Sequence, residues 1–220
     1  MRNIIRAAAL FCVAALAVTA LVSCGRHDED EIKKAAAELI EKSYEINEIF
    51  FGEGLPLAEE EEYASTFPGY AVPAPSVDPD SGDDMTYYMV SPKTGYFSVD
   101  DIKKGTLAVY TEEYAEPLFD MAFSGFAVTV GGDRTERTDA VSYARYIDTT
   151  AGYLGMRKLA DHEILPLGRT YDTSAMTVVK NRGNEASVSV KSFVDGKDAG
   201  EIEIALKLTG DGWRLDSPTY

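Results

Sequence analysis

The chain has 220 residues, with 37 Asp and Glu against 21 Lys and Arg, two histidines and two cysteines, for a formal charge of −16. So acidic a surface repels nucleic acid, anionic lipid and anionic wall polymers, and it suits basic partners or cations. Metal sites built on imidazole or thiolate need more His and Cys than this chain holds.

Met1 to Arg6 carries two arginines, and Ala7 to Val22 is then apolar apart from Thr19. About sixteen such residues fall short of the roughly 20 that span a bilayer comfortably. A basic start before a short apolar run is the pattern of an export signal. The run ends Leu21-Val22-Ser23-Cys24-Gly25, which resembles the lipobox of bacterial lipoproteins. That resemblance implies cleavage before Cys24 and transfer of a diacylglycerol to its thiol. Residues 1–23 are then the signal peptide and 24–30 a lipidated tether. Each buried CH₂ contributes about 0.8 kcal/mol, so two acyl chains hold where one only visits. Cys12, behind bulky Leu10 and Phe11, reads as an apolar filler that leaves with the signal. The expected product keeps 19 basic and 37 acidic side chains, a formal −18, and no free thiol. It is exported, anchored to the outer face of the cell membrane, and without a disulfide or a Cys nucleophile.

Residues 31–220 read as one α+β domain. Apolar residues at Ile32, Ala35, Ala36, Leu39, Ile40, Ile46 and Phe50 recur at the spacing of one buried helix face. A helix is expected over 31–51, stopped by Gly52, Gly54 and Pro56. Residues 52–84, rich in Gly, Pro and acids, read as a long insert with little regular structure. Met85 to Val90 reads as a strand. Ser98 with Asp101 three later signals a short helix. A further helix is expected from Thr111 to about Phe123, and strands over 126–130 and 142–148. The C-terminal third alternates clearly: Met176 and Val178, then Ala186, Val188 and Val190, then Ile202, Ile204, Leu206 and Leu208. Turn-forming stretches at 181–184, 195–200 and 209–212 separate these runs, and Trp213-Arg-Leu215 closes them, an antiparallel meander with one wet face. Helices before a meander give helices packed on one face of a curved sheet, as in cystatin-like folds.

Few residues suggest chemistry. His162 could serve a Ser-His-Asp arrangement only with an unidentified Ser, and it reads more simply as a solvated or structurally bonded histidine. Asp78-x-Asp80-x-Gly82-Asp83 faintly matches a calcium loop, but Met89 stands where the bidentate Glu belongs. No cofactor, catalytic residue or metal ligand is expected. The insert offers a surface for a partner instead: Glu59, Glu60, Glu61, Glu62, Tyr70, Asp78, Asp80, Asp83 and Asp84. Phe67, Tyr87, Tyr88, Tyr96 and Phe97 surround it, and aromatics rimmed by charge are typical of protein-binding surfaces.

Four stretches together resemble the IseA (YoeB-like) family of extracytoplasmic DL-endopeptidase inhibitors. They are Tyr44-Glu-Ile-Asn-Glu-Ile-Phe-Phe-Gly-Glu-Gly54, Tyr96-Phe-Ser-Val-Asp-Asp-Ile102 leading through Thr111 into Phe119, Arg145-Tyr-Ile-Asp148, and Gly212-Trp-Arg-Leu-Asp-Ser-Pro218. The resemblance lies in order and spacing over most of 35–217. It implies a helix-flanked, strongly curved sheet and a non-enzymatic partner of NlpC-type wall peptidases. The lipid anchor and the acidic 52–84 insert depart from that family. Two other expectations stand beside it: a small-ligand carrier with a cystatin-like or SnoaL-like pocket, and a hydrolase using paired carboxylates or His162.

Overall fold

The long helix expected near the start forms as α1 (Glu29–Phe51), beginning two residues earlier than the apolar periodicity alone indicates. The reason is electrostatic and local. Asp28 caps the helix by accepting the Asp30 N–H at 2.9 Å, and Glu29, Asp30 and Glu31 in the first turn meet the positive end of the helix dipole. The computed structural model describes residues 26–76, 85–124, 126–130, 138–159 and 164–220. Cys24, the signal peptide, Asp78, Asp80, Asp83, Asp84 and His162 lie outside the described residues.

The buried stripe of α1 runs through Ile32, Ala36, Leu39, Ile40, Ile46, Ile49 and Phe50. Fully burying such a side chain stabilises by about 1.5–3 kcal/mol. This stripe packs on a four-stranded antiparallel sheet of β6 (Arg169–Arg182), β7 (Glu185–Val194), β8 (Lys197–Thr209) and β9 (Gly212–Leu215), paired in that order. This is the predicted meander. Its inward residues include Met176, Ala186, Val188, Val190, Ile204, Leu206, Trp213 and Leu215, all buried. The turn expected over 195–200 is tighter than that: β8 is already paired at Lys197, opposite Val194.

Both edges of this sheet are managed. On β6, five residue steps from Asp172 to Thr177 oppose two on β7, from Lys191 to Ser189. This large bulge interrupts the outer edge, a common device against edge-to-edge association. At the other edge, Leu215 accepts from Thr111 N–H and donates to Val109 carbonyl, each at 2.9 Å.

A second, three-stranded sheet sits at the C-terminal end of α1, with β5 (Leu154–Arg157) between β1 (Tyr87–Met89) and β4 (Tyr146–Asp148). Strand β5 was not anticipated. Its four residues are all buried, so no polar alternation marks them. Tyr146 ties this sheet to α1: its hydroxyl donates to Ile49 carbonyl at 3.0 Å and accepts from Leu55 N–H at 3.2 Å. The strand expected over 142–148 is two strands, because Arg145 breaks away. Its guanidinium turns inward to donate to Gly52 carbonyl at 2.6 Å. One strand is β4; the other is β3 (Thr138–Ser142), which forms a hairpin with β2 (Phe126–Val130).

Three shorter helices complete the described chain. The 52–84 insert, expected to hold little regular structure, contains the short helix α2 (Glu60–Thr66). Ser98 caps α3 (Val99–Leu107), accepting the Asp101 N–H at 3.2 Å. Thr111 caps α4 (Glu112–Phe119), which is shorter than expected and gives way to a π-turn over Asp120–Ser124.

Candidate functional site

The acidic run 59–62 puts four consecutive carboxylates at the start of α2, and they divide into two kinds. Glu62 is structural. It accepts Glu59 N–H at 3.2 Å and Ser91 Oγ–H at 2.9 Å, and it pairs with Lys93 Nζ at 2.7 Å. The Lys93 hydrogen bond holds the Glu62 carboxyl below its ordinary range, with Ser91 and Glu59 acting in the same direction. It joins α2 to the segment after β1, so its charge is already engaged within the fold. Glu59 is likewise taken up in starting α2. Glu60 and Glu61 are exposed.

The aromatic side chains sort the same way. Tyr63 is buried and packs at 5.3 Å from Phe67, which in turn meets Tyr153 at 5.4 Å. Tyr87 donates its hydroxyl to Ala144 carbonyl at 2.6 Å. Tyr96 is held against the core, its hydroxyl pushed up to about 12 by burial and by Glu45 beside it. These rings are scaffold. Tyr70 is different: it is 74% exposed, and Val72 two residues on is 41% exposed. Together with Ala58, Glu60, Tyr63, Ala64 and Ala71 they line an open groove of about 550 Å³. Of the residues picked out in the sequence, this groove unites Tyr70 and Glu60.

A second concavity was not anticipated. It lies between α1, the start of β6 and the C-terminal tail, with a volume of about 300 Å³. Tyr44, Glu45 and Glu48 form one wall, Leu167 and Arg169 the other, and Thr219 with Tyr220 the floor. Tyr44 stacks on Tyr171 with rings 6.4 Å apart and nearly parallel. Arg169 is steadied by donating to the buried Ser192 hydroxyl at 3.0 Å. Tyr44 stood out in sequence only as the start of the first stretch that carries the family resemblance. Arg169 carries no local signal, since its place depends on the pairing of β6 with β7.

The stretches that carried the family resemblance turn out to be structural in this molecule. Tyr146 and Trp213 are core residues. Asp148 accepts Val99 N–H at 2.9 Å, and Thr111 donates to Asp216. Ser217 Oγ accepts Ala205 N–H at 3.0 Å. These residues hold the fold together, whereas Tyr44, Glu45 and Glu48 of the first stretch line the concavity between α1 and β6. Among the described residues, no group of three or more His, Cys, Asp or Glu side chains could hold a metal ion. No protein-family model matches this chain, and no curated protein matches it.

Proposed function

We propose that this is an exported, membrane-anchored binding module that docks a basic cell-wall peptidase of the NlpC type through the groove beside α2 and thereby inhibits it. The observation that carries this reading is the exposed Tyr70–Val72 patch on a groove that Glu60 also lines, with exposed Glu61 next to it in sequence. An aromatic anchor beside an apolar neighbour, rimmed by charge, has the composition of an interaction hot spot. The strongly negative chain speeds encounter with a basic enzyme and disfavours acidic competitors. The resemblance to DL-endopeptidase inhibitors supports the choice of enzyme. A tethered inhibitor of this kind protects wall close to the membrane.

The test is direct. The mature protein is added to a DL-endopeptidase from the same envelope, and release of stem peptides from peptidoglycan is followed. The proposal expects slower release in proportion to added protein, with no covalent change in either partner. Undiminished release, together with no complex at micromolar concentration, overturns it.

A second reading is favoured by the concavity between α1 and β6. Its volume of about 300 Å³ is at the lower bound of small-ligand pockets, and it presents aromatic, cationic and anionic groups to one space. A ligand with an apolar body and both charges, such as a short peptide end, suits those walls. A rise in melting temperature with such compounds, abolished by Arg169→Ala, is the outcome it expects.

A further inference from the structure

We infer that the anchored domain stands with its β6–β7 turn against the lipid headgroups and with α2 held at the outward end. The inference rests on the reading of Cys24 as the acylated residue and adds to it a direction.

The direction comes from a clamp on His27, the second described residue. His27 N–H donates to Asn181 Oδ1 at 2.9 Å, and Asn181 Nδ2 donates back to His27 carbonyl at 2.7 Å. The amide of Asn181 thus matches one donor and one acceptor of the same residue, which fixes its orientation. The His27 ring reaches further along the turn, with Nε2 2.7 Å from Gly183 carbonyl. Against a carbonyl, that nitrogen must carry the proton. The ring also stands edge-on to Trp213, with centroids 5.1 Å apart. Three polar contacts and a ring contact therefore fasten His27 to the β6–β7 turn and to the start of β9.

Cys24 is three residues upstream of His27, and three residues extend at most about 11 Å. The whole of 24–30 was read as free tether; the clamp leaves only the first few residues free. The lipid attachment is therefore confined to the neighbourhood of Gly183. From that point α1 leads away. It runs antiparallel to β6: His27 meets Asn181, Tyr44 stacks on Tyr171, and Phe51 carbonyl accepts Leu165 N–H at 2.8 Å. Twenty-three helical residues span about 34 Å. Past that end come Leu57, bridged to Val90, and α2, whose Tyr63 and Phe67 pack on Tyr153 of the β4–β5 turn. The groove holding Tyr70 therefore faces away from the bilayer, roughly a helix length out. The inward end exposes Arg182 and Val179, the latter 59% exposed. Asp28 to Glu31 are exposed at the same end, so the acyl chains and not surface charge hold it at the headgroups.

The experiment uses the full protein, processed and acylated in cells, then reconstituted in phosphatidylethanolamine–phosphatidylglycerol vesicles carrying a nickel-chelating lipid. With Cys12 removed and Cys24 acylated, an introduced cysteine is the sole free thiol. Nitroxide labels are placed separately at N184C, in the β6–β7 turn, and at Y70C. Relaxation by surface nickel should be several-fold stronger at position 184 than at 70. Insertion of about twenty Gly/Ser residues after Gly25, with an r.m.s. span of roughly 25 Å, should erase the difference. Equal relaxation at the two sites, a reversed order, or a contrast that survives the insertion overturns the orientation. Protein that lacks acyl mass and fails to float with vesicles overturns the anchoring itself, and the orientation falls with it.

Discussion

Tyr110 and Thr219 meet hydroxyl to hydroxyl at 2.7 Å inside the core, although 109 positions separate them. The same Thr219 oxygen accepts from Asn47 Nδ2 at 3.0 Å and donates to Ser43 Oγ at 2.7 Å, and Ser43 donates on to Ile40 carbonyl. Two polar residues of α1 that interrupt its apolar stripe are thus satisfied by the second-last residue of the chain. The tail does not trail off; it plugs a polar gap between α1 and Tyr110. Replacing Thr219 by Val keeps the shape and removes the hydroxyl, leaving Asn47 and Tyr110 short of a partner. A buried group so orphaned costs about 1–3 kcal/mol. Urea denaturation of the T219V variant should show stability lowered by that amount, as an earlier midpoint with the slope unchanged.

Burial of the same kind shapes the alkaline response. Tyr96, Tyr110 and Tyr146 are each pushed up to about 12 from an ordinary value of 10.0, chiefly by desolvation of the phenolate. A folded pKa above the unfolded one supplies stability that is complete below pH 10 and is lost as pH rises toward 12. The tyrosinate absorbance of these rings should therefore rise only together with loss of the far-ultraviolet circular dichroism signal. Smooth ionisation of all thirteen tyrosines with the dichroism intact is the outcome this account cannot accommodate.

The turn after α1 is a third sensitive point. Gly54 has φ +91, and a methyl placed there would come within 2.5 Å of Met156 Sδ, 2.7 Å of Arg145 Nη2 and 2.9 Å of the Tyr146 hydroxyl. Both the left-handed backbone and the crowding oppose any side chain. Gly54→Ala should destabilise by about 2 kcal/mol or more, in the range of overpacked cores. Gly69, with φ +86 but nothing within 4 Å, serves as the comparison; its Ala variant bears only the backbone strain, about 1 kcal/mol. Thermal melts of the two variants side by side distinguish crowding from conformation.

Residues whose neighbours in sequence are also their neighbours in space were legible without a structure. The α1 stripe, the Ser98 and Thr111 caps and the three-turn meander belong to this kind. Strand β5 was hidden because all four of its residues are buried, which removes the alternation that announces a strand. Helix α2 was hidden by its own charge: a run of four glutamates reads as solvated chain, yet here Lys93 and Ser91 gather Glu62 and let the helix begin. The candidate site was half visible for the same reason. Tyr70 and Glu60 stand out by type, but only the packing of Tyr63 and Phe67 against Tyr153 shows which rings are consumed by the fold. The concavity at Arg169 depends on contacts between residues more than a hundred positions apart, which no local pattern encodes.

The division among the glutamates of 59–62 gives a prediction that separates folding from docking. Glu62 is held below its ordinary value of 4.5 by Lys93, so its contribution to stability is present above that pH and lost as pH falls through the lowered folded value. In Glu62→Gln, the acid limb of a stability–pH curve should start from a lower plateau near neutrality and fall less steeply below pH 4.5. Glu60→Lys and Glu61→Lys should lower stability only slightly, by putting the wrong charge in the first turn of α2. Their main effect belongs to the encounter with a basic peptidase: slower association, most marked at low salt, with the dissociation rate nearly unaltered. Tyr70→Ala should do the opposite, raising the dissociation rate by a factor that corresponds to about 2 kcal/mol or more while sparing association. Surface plasmon resonance at two salt concentrations resolves the two effects. If all three substitutions act alike, or if only Glu62→Gln weakens the complex, the groove beside α2 is not where the partner sits.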